Sequence, residues 1–139
     1  MTPFDALNQQ NHRITELSNV LHYLVKDRSM CDTETCCSLF HRYLDELLSH
    51  IDTIERTIYP VILRKGENAN SVNNFMNGSQ EIKRIVKQYA RRWCKKNTSL
   101  LEVKDHDAFI SETGQLFEVV LQRLQDEAEK LYPMARRLM

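Results

Sequence analysis

Apolar residues recur three and four apart over almost the whole chain, and no segment alternates at period two for long enough to build a sheet. That pattern favours helices packed on helices. Leu7, Ile14, Leu17, Val20, Leu21, Leu24 and Val25 predict a first helix over about 5–27. A polar run at 28–32 interrupts it, after which Asp32 or Thr33 can cap a second helix with Glu34 in its first turn. The second stripe, from Phe40, Tyr43 and Leu44 through Ile51, Ile54 and Ile58 to Ile62, predicts a helix over about 33–63 that Pro60 should kink or shorten near its end. Residues 64–71 read as a turn. Ile82, Ile85, Val86, Tyr89, Ala90 and Trp93 predict a third helix over about 72–96. The loop at 100–105 is only moderately polar and is expected to pack down. Asp105 or Asp107 then opens a fourth helix over about 107–138, with Phe109, Leu116, Phe117, Val120, Leu124 and Leu131 inward. The expected fold is all-α, an up-down-up-down four-helix bundle in a single domain spanning 1–139.

Composition fits that reading. A chain of 139 residues, 42% hydrophobic and 27% charged, suits one soluble domain with a real core. Three Gly and three Pro argue against a turn-rich β-sandwich or a Gly-looped nucleotide site. Lys plus Arg and Asp plus Glu number 19 each, so no global charge draws the chain to nucleic acid or membrane. No stretch approaches the roughly 20 apolar residues that span a bilayer. The start, Met1-Thr2-Pro3-Phe4-Asp5-Ala6, lacks the basic and apolar regions of a signal peptide, so a cytoplasmic protein is expected. Its four cysteines, Cys31, Cys36, Cys37 and Cys94, are then reduced thiols without zinc-site spacing. No nucleophile elbow, P-loop or dinucleotide fingerprint is present, and no catalytic residue is expected. Cys37 and His41 share a helix face, but nothing nearby supplies an oxyanion hole.

The second and fourth helices end alike. One reads His50 to Ile58-Tyr59-Pro60, the other Arg123 to Leu131-Tyr132-Pro133, as two helical hairpins about a pseudo-twofold axis would produce. On these motifs the chain resembles the hemerythrin-like (HHE) family, in which each hairpin carries a His-x-x-x-Glu helix followed by an apolar-aromatic-Pro motif. That resemblance implies a di-iron centre inside the bundle. Carried over residue by residue, His50 holds a His position, but Ile54 stands where the following Glu belongs, and Glu55 is rotated by about 100°. Arg123 stands at the second His position, where a permanent cation cannot ligate a metal. Glu127 matches its carboxylate position. His12 points away from the first helix's stripe, Gln10 and Asn11 lie nearer it, and the third helix has no His. No metal is therefore expected; were one bound, His50 and Glu127 would hold it, with His12 or Glu55 as further candidates.

Arg123 and Glu127, at i and i+4, can pair directly, with His50 joining across the bundle as an interior polar cluster. Equally, Arg123 can snorkel outward from the edge of the stripe. The lost ligands resemble the metal-free Rsd/AlgQ regulators, which bind the housekeeping sigma factor of RNA polymerase. The similar features are His50-x-x-x-x-Glu55, Arg123-x-x-x-Glu127, Asp105-His106-Asp107, Ser79-Gln80-Glu81-Ile82 and His12-x-Ile14. That resemblance implies a non-enzymatic protein that docks on a partner. The acidic face for a basic sigma factor would come from Asp45, Glu46, Asp52 and Glu55, or from Glu112, Glu118, Asp126 and Glu129.

Against it, the third helix carries a basic strip: Lys83, Arg84, Lys87, Arg91, Arg92, Lys95 and Lys96. Tyr89 and Trp93 lie on its inner phase, so they do not interleave as stacking platforms and nucleic acid is not the expected partner. The alternative functions are a true hemerythrin-like iron protein that senses or carries oxygen, and a sensor using the four thiols.

Overall fold

The computed structural model describes residues 3–66 and 69–139. Met1, Thr2, Glu67 and Asn68 lie outside them, so the expectations for the chain start and for the turn at 64–71 fall partly outside as well. The fold is all-α. Among the described residues there are seven α-helices and one π-helical turn, and no strand: α1 Pro3–Val25, α2 Arg28–Cys31, α3 Glu34–Thr57, α4 Tyr59–Lys65, α5 Ala69–Trp93, α6 His106–Asp126, the π turn Glu127–Leu131 and α7 Tyr132–Arg137.

Each added element corrects the expected count of four, and each has a local cause. The first helix stops at Val25 rather than 27 because Asp27 caps a helix of its own, accepting from the Ser29 amide at 2.9 Å. Thr33, not Asp32, caps α3, its Oγ1 accepting from the Cys36 amide at 3.1 Å. The helix expected to run 33–63 is two helices meeting at Ile58, because Pro60 has no N–H for the ladder and crowds the preceding turn. In the second Tyr-Pro motif the chain absorbs Pro133 differently, widening into the π turn before α7. The third helix begins three residues earlier than 72 and ends at Trp93 rather than 96, ahead of Asn97 in the left-handed region (φ 67°). Asp105 caps α6 through the Ala108 amide at 3.0 Å, starting it at His106 rather than 107.

The four long helices form a ring: α1 packs against α3 and α6, and α5 packs against the same two. The loop at 100–105 does pack down, burying Leu101 and Val103, and Arg28 reaches across to the Val103 carbonyl at 2.8 Å. His106 Nε2 donates to the Val25 carbonyl at 2.7 Å, tying the end of α1 to the start of α6.

The apolar core comes in two blocks. The larger holds Ile14, Leu21, Phe40, Tyr43, Leu47, Val86, Tyr89, Phe109, Phe117 and Leu124, with Phe117 stacked on Phe40 and Phe109 tilted against it. The smaller gathers Phe4, Leu7, Ile54, Ile58, Tyr59, Ile62, Val72, Leu131 and Tyr132, under α4 and α7. Along each long helix the stripe passes from one block to the other across one polar position: Gln10 between Leu7 and Ile14, His50 between Leu47 and Ile54, Ser79 between Val72 and Ile82, Glu127 between Leu124 and Leu131. A polar layer thus divides the core.

Candidate functional site

Three of the four residues in that layer are fully enclosed: His50 is 1% exposed, Ser79 2% and Glu127 1%. Buried polar groups at this depth must find partners, and each does. His50 Nε2 donates to Glu127 Oε1 at 2.8 Å, and its Nδ1 lies 3.1 Å from Gln10 Oε1. Arg123, one turn before Glu127 on α6, donates from Nε to Glu127 Oε2 at 2.9 Å. Its Nη2 donates to the Phe75 carbonyl and the Tyr59 hydroxyl, both at 2.8 Å, and to Ser79 Oγ at 2.9 Å. Tyr59 and Ser79 hydroxyls bond to each other at 2.6 Å. The guanidinium also lies over the Phe75 ring, 5.0 Å from its centroid.

The local structure explains why these groups meet. Glu127 is the first residue of the π turn, so the chain widens where the carboxylate must reach both α3 and Arg123. Tyr59 opens α4 at the break forced by Pro60, which turns its hydroxyl to α5. Gly78 leaves the space the guanidinium fills: a Cβ there would lie 2.6 Å from Arg123 Nη1. Of the two orientations open to Arg123, the structure has the inward one, with 14% of the side chain exposed. Burial pushes the Tyr59 phenol above its ordinary value, its bond to Ser79 and the Arg123 charge partly opposing.

The structure therefore brings His50, Arg123 and Glu127 together. It does not bring His12 or Glu55 to them. His12 is exposed and pairs with Glu16 at 3.0 Å on the surface of α1, and Glu55 pairs with Lys83 between α3 and α5. Gly78, Tyr59, Ser79 and the Phe75 carbonyl were not foreseen as parts of the site; Gly78, a glycine inside a predicted helix, was the available signal.

As a cation site, the layer is already saturated. Glu127 divides its two oxygens between an imidazole and a guanidinium, and His50 is engaged through both nitrogens. The remaining groups bonded in the layer are an amide, an alcohol and a carbonyl, which are weak ligands for iron, and the Tyr59 phenol, whose ligating phenolate form burial disfavours. Among the described residues no three His, Cys, Asp or Glu side chains gather into a metal-binding group. The residues present do not fit a di-iron centre.

The acidic residues expected to face a basic partner are mostly occupied. Glu46 pairs with Arg13 at 3.3 Å, Asp52 with Arg56 at 2.9 Å, Glu55 with Lys83, Glu112 with Arg92 and Asp126 with Lys130 at 3.9 Å; Asp45 and Glu118 are exposed. All four cysteines are buried free thiols, packed in the larger core block.

Among the described residues no helix is long and apolar enough to cross a membrane. No curated protein and no solved structure matches the chain, so the likeness to the Rsd/AlgQ regulators gains no support from either comparison. The family model of the hemerythrin HHE cation binding domain matches residues 2–135, nearly the whole length, and the chain belongs to that family.

Proposed function

We propose that this hemerythrin-family protein works without a resident metal, as a non-enzymatic regulatory protein that binds another protein. The chain is read as an up-down-up-down path of four long helices whose central polar layer is a structural girdle. The observation that supports this is the Arg123 guanidinium at the level of the layer, held by Glu127, Tyr59, Ser79 and the Phe75 carbonyl. A charge so enclosed is tolerated when paired and hydrogen-bonded, and it repels a metal cation from the same space. Elemental analysis of protein expressed with abundant iron tests the reading: less than stoichiometric metal is expected, and two irons per chain would overturn it.

The family match favours a second reading, an iron-binding protein that senses or carries oxygen or a related small molecule, because the family is one of cation-binding domains. It requires Arg123 to swing out and ligands to be recruited from elsewhere, and an absorption band of oxo-bridged ferric iron in the purified protein would establish it. A finer form of the docking reading is binding of a sigma factor. It rests on the sequence likeness alone, and the paired state of Glu46, Asp52, Glu55 and Asp126 weighs against a strongly basic partner. Co-purification with sigma factor would decide it.

A further inference from the structure

The faces of α3 and α5 that turn toward each other leave a groove of about 540 Å³. Its floor is apolar: Leu44 and Leu48 from α3, Val86 and Ala90 from α5. Lys87 and Arg91 stand one turn apart on its α5 side, and Lys95 and Lys96 continue the row past the helix end. Among the described residues none of these four cations is in an ion pair or hydrogen bond, whereas Lys83, Arg84 and Arg92 of the same helix are paired with Glu55, Glu81 and Glu112. The groove lining has one acidic residue, Asp45 on the α3 side. His41, also in the lining, has an enclosed Nε2 with no hydrogen-bond partner.

A row of unpaired cations beside an apolar floor is complementary to a segment that carries carboxylates along one edge of an apolar face. The stretch from His41 to Leu48 is about 10 Å long, which matches two turns of a helix. A single-stranded nucleic acid held by stacking would need exposed rings, and Tyr89 and Trp93 are buried at 6% and 5% exposure, while a phosphate backbone alone would make no use of the apolar floor. We propose that this groove receives an acidic amphipathic helical segment of a partner protein. The proposal rests on the docking reading above and names the partner's chemistry.

The test uses the isotopically labelled full chain, its iron content measured, and a designed Leu/Ala/Glu helical peptide of about 14 residues. The Glu peptide should shift the amide signals of Leu44, Leu48, Val86 and Ala90. Lys87→Glu with Arg91→Glu should weaken it by about tenfold or more, and Lys65→Glu with Arg137→Glu, the same charge change at the α4–α7 end, should leave it within about twofold. Equal binding of the Lys-for-Glu peptide, shifts confined to other surfaces, or indifference to the groove variant would overturn the proposal. So would dodecanoate or an oligouridylate shifting these residues where the Glu peptide does not. Metal-free protein that ignores the peptide removes the groove proposal alone. Iron-loaded protein that binds the peptide in the groove removes the metal-free reading and leaves the groove.

Discussion

Gly78 and Arg123 are fitted to each other: a methyl group on the glycine would stand 2.6 Å from the arginine's Nη1. The guanidinium cannot simply swing aside, because its other nitrogens hold Glu127, Tyr59, Ser79 and the Phe75 carbonyl. A glycine well inside α5 costs about 1 kcal/mol of helix propensity relative to alanine. Gly78→Ala should nevertheless destabilise the protein, by about 1–2 kcal/mol, because it displaces several buried hydrogen bonds at once. A Cβ on Gly114 in α6 would meet nothing within 4 Å, so Gly114→Ala should stabilise by about 0.5–1 kcal/mol. Urea denaturation of the pair checks the contrast; equal stabilisation by both would show that the guanidinium moves at no cost.

Charge pairing in the same layer predicts an order among three variants. Arg123→Met removes the partner of an enclosed carboxylate and should cost about 3–5 kcal/mol. Adding Glu127→Gln should recover part of that loss, since a neutral amide needs no counter-charge. Glu127→Gln alone should cost less than Arg123→Met, because Arg123 keeps three other acceptors and some solvent. A double-mutant cycle measures the coupling, and additive losses would deny that the two charges support each other.

Much of this layer was legible because it lies on single helices. Arg123 and Glu127 are one turn apart, His50 falls on the apolar stripe of α3, and Gln10 borders that of α1, so helical phase marks each as a candidate for the interior while leaving the inward or outward course of Arg123 open. What phase could not give is the contact between helices. The Tyr59 hydroxyl reaches Ser79 and Arg123 only because α3 breaks at Ile58, and the π turn that starts at Glu127 adds no signature to the sequence. The pairing of the acidic residues was hidden for the same reason: Glu46 meets Arg13, and Glu55 meets Lys83, across helix boundaries that a one-dimensional pattern does not show.

Thiol chemistry should be slow in the folded protein. Cys31, Cys36, Cys37 and Cys94 are each 2% exposed or less. The hydrogen bond from Cys36 lowers the Cys31 thiol and raises that of Cys36, while burial raises Cys37 and Cys94. A disulfide-exchange reagent should leave all four unmodified in native protein and modify all four in denaturant. Prompt native reaction of any of them would revive the sensor reading.

Alkali should unfold the bundle through its phenols. Burial raises Tyr43, Tyr59, Tyr89 and Tyr132 above the ordinary phenol, and the Glu127 charge adds to the effect at Tyr132. A folded-state value above the unfolded one means that the unfolded chain releases its proton first. The stability these groups contribute is therefore complete below about pH 10, where both states keep the proton, and falls as pH rises beyond it. Among the described residues Tyr43 is enclosed with no partner for its hydroxyl, Tyr89 has Thr113 alone at 2.6 Å, and Tyr132 lies near the Glu127 charge, so none of these three can ionise in place without stranding a charge; Tyr59 has Arg123 beside it, but burial still outweighs that charge. Phenolate absorbance from these four should accordingly rise together with the loss of helical circular dichroism, in one cooperative step. Tyr59→Phe should lower stability at neutral pH by about 1 kcal/mol, the worth of its bond from Arg123, and should make the alkaline loss shallower. Phenolate absorbance from all four while the helices remain intact would mean that the core admits water around them.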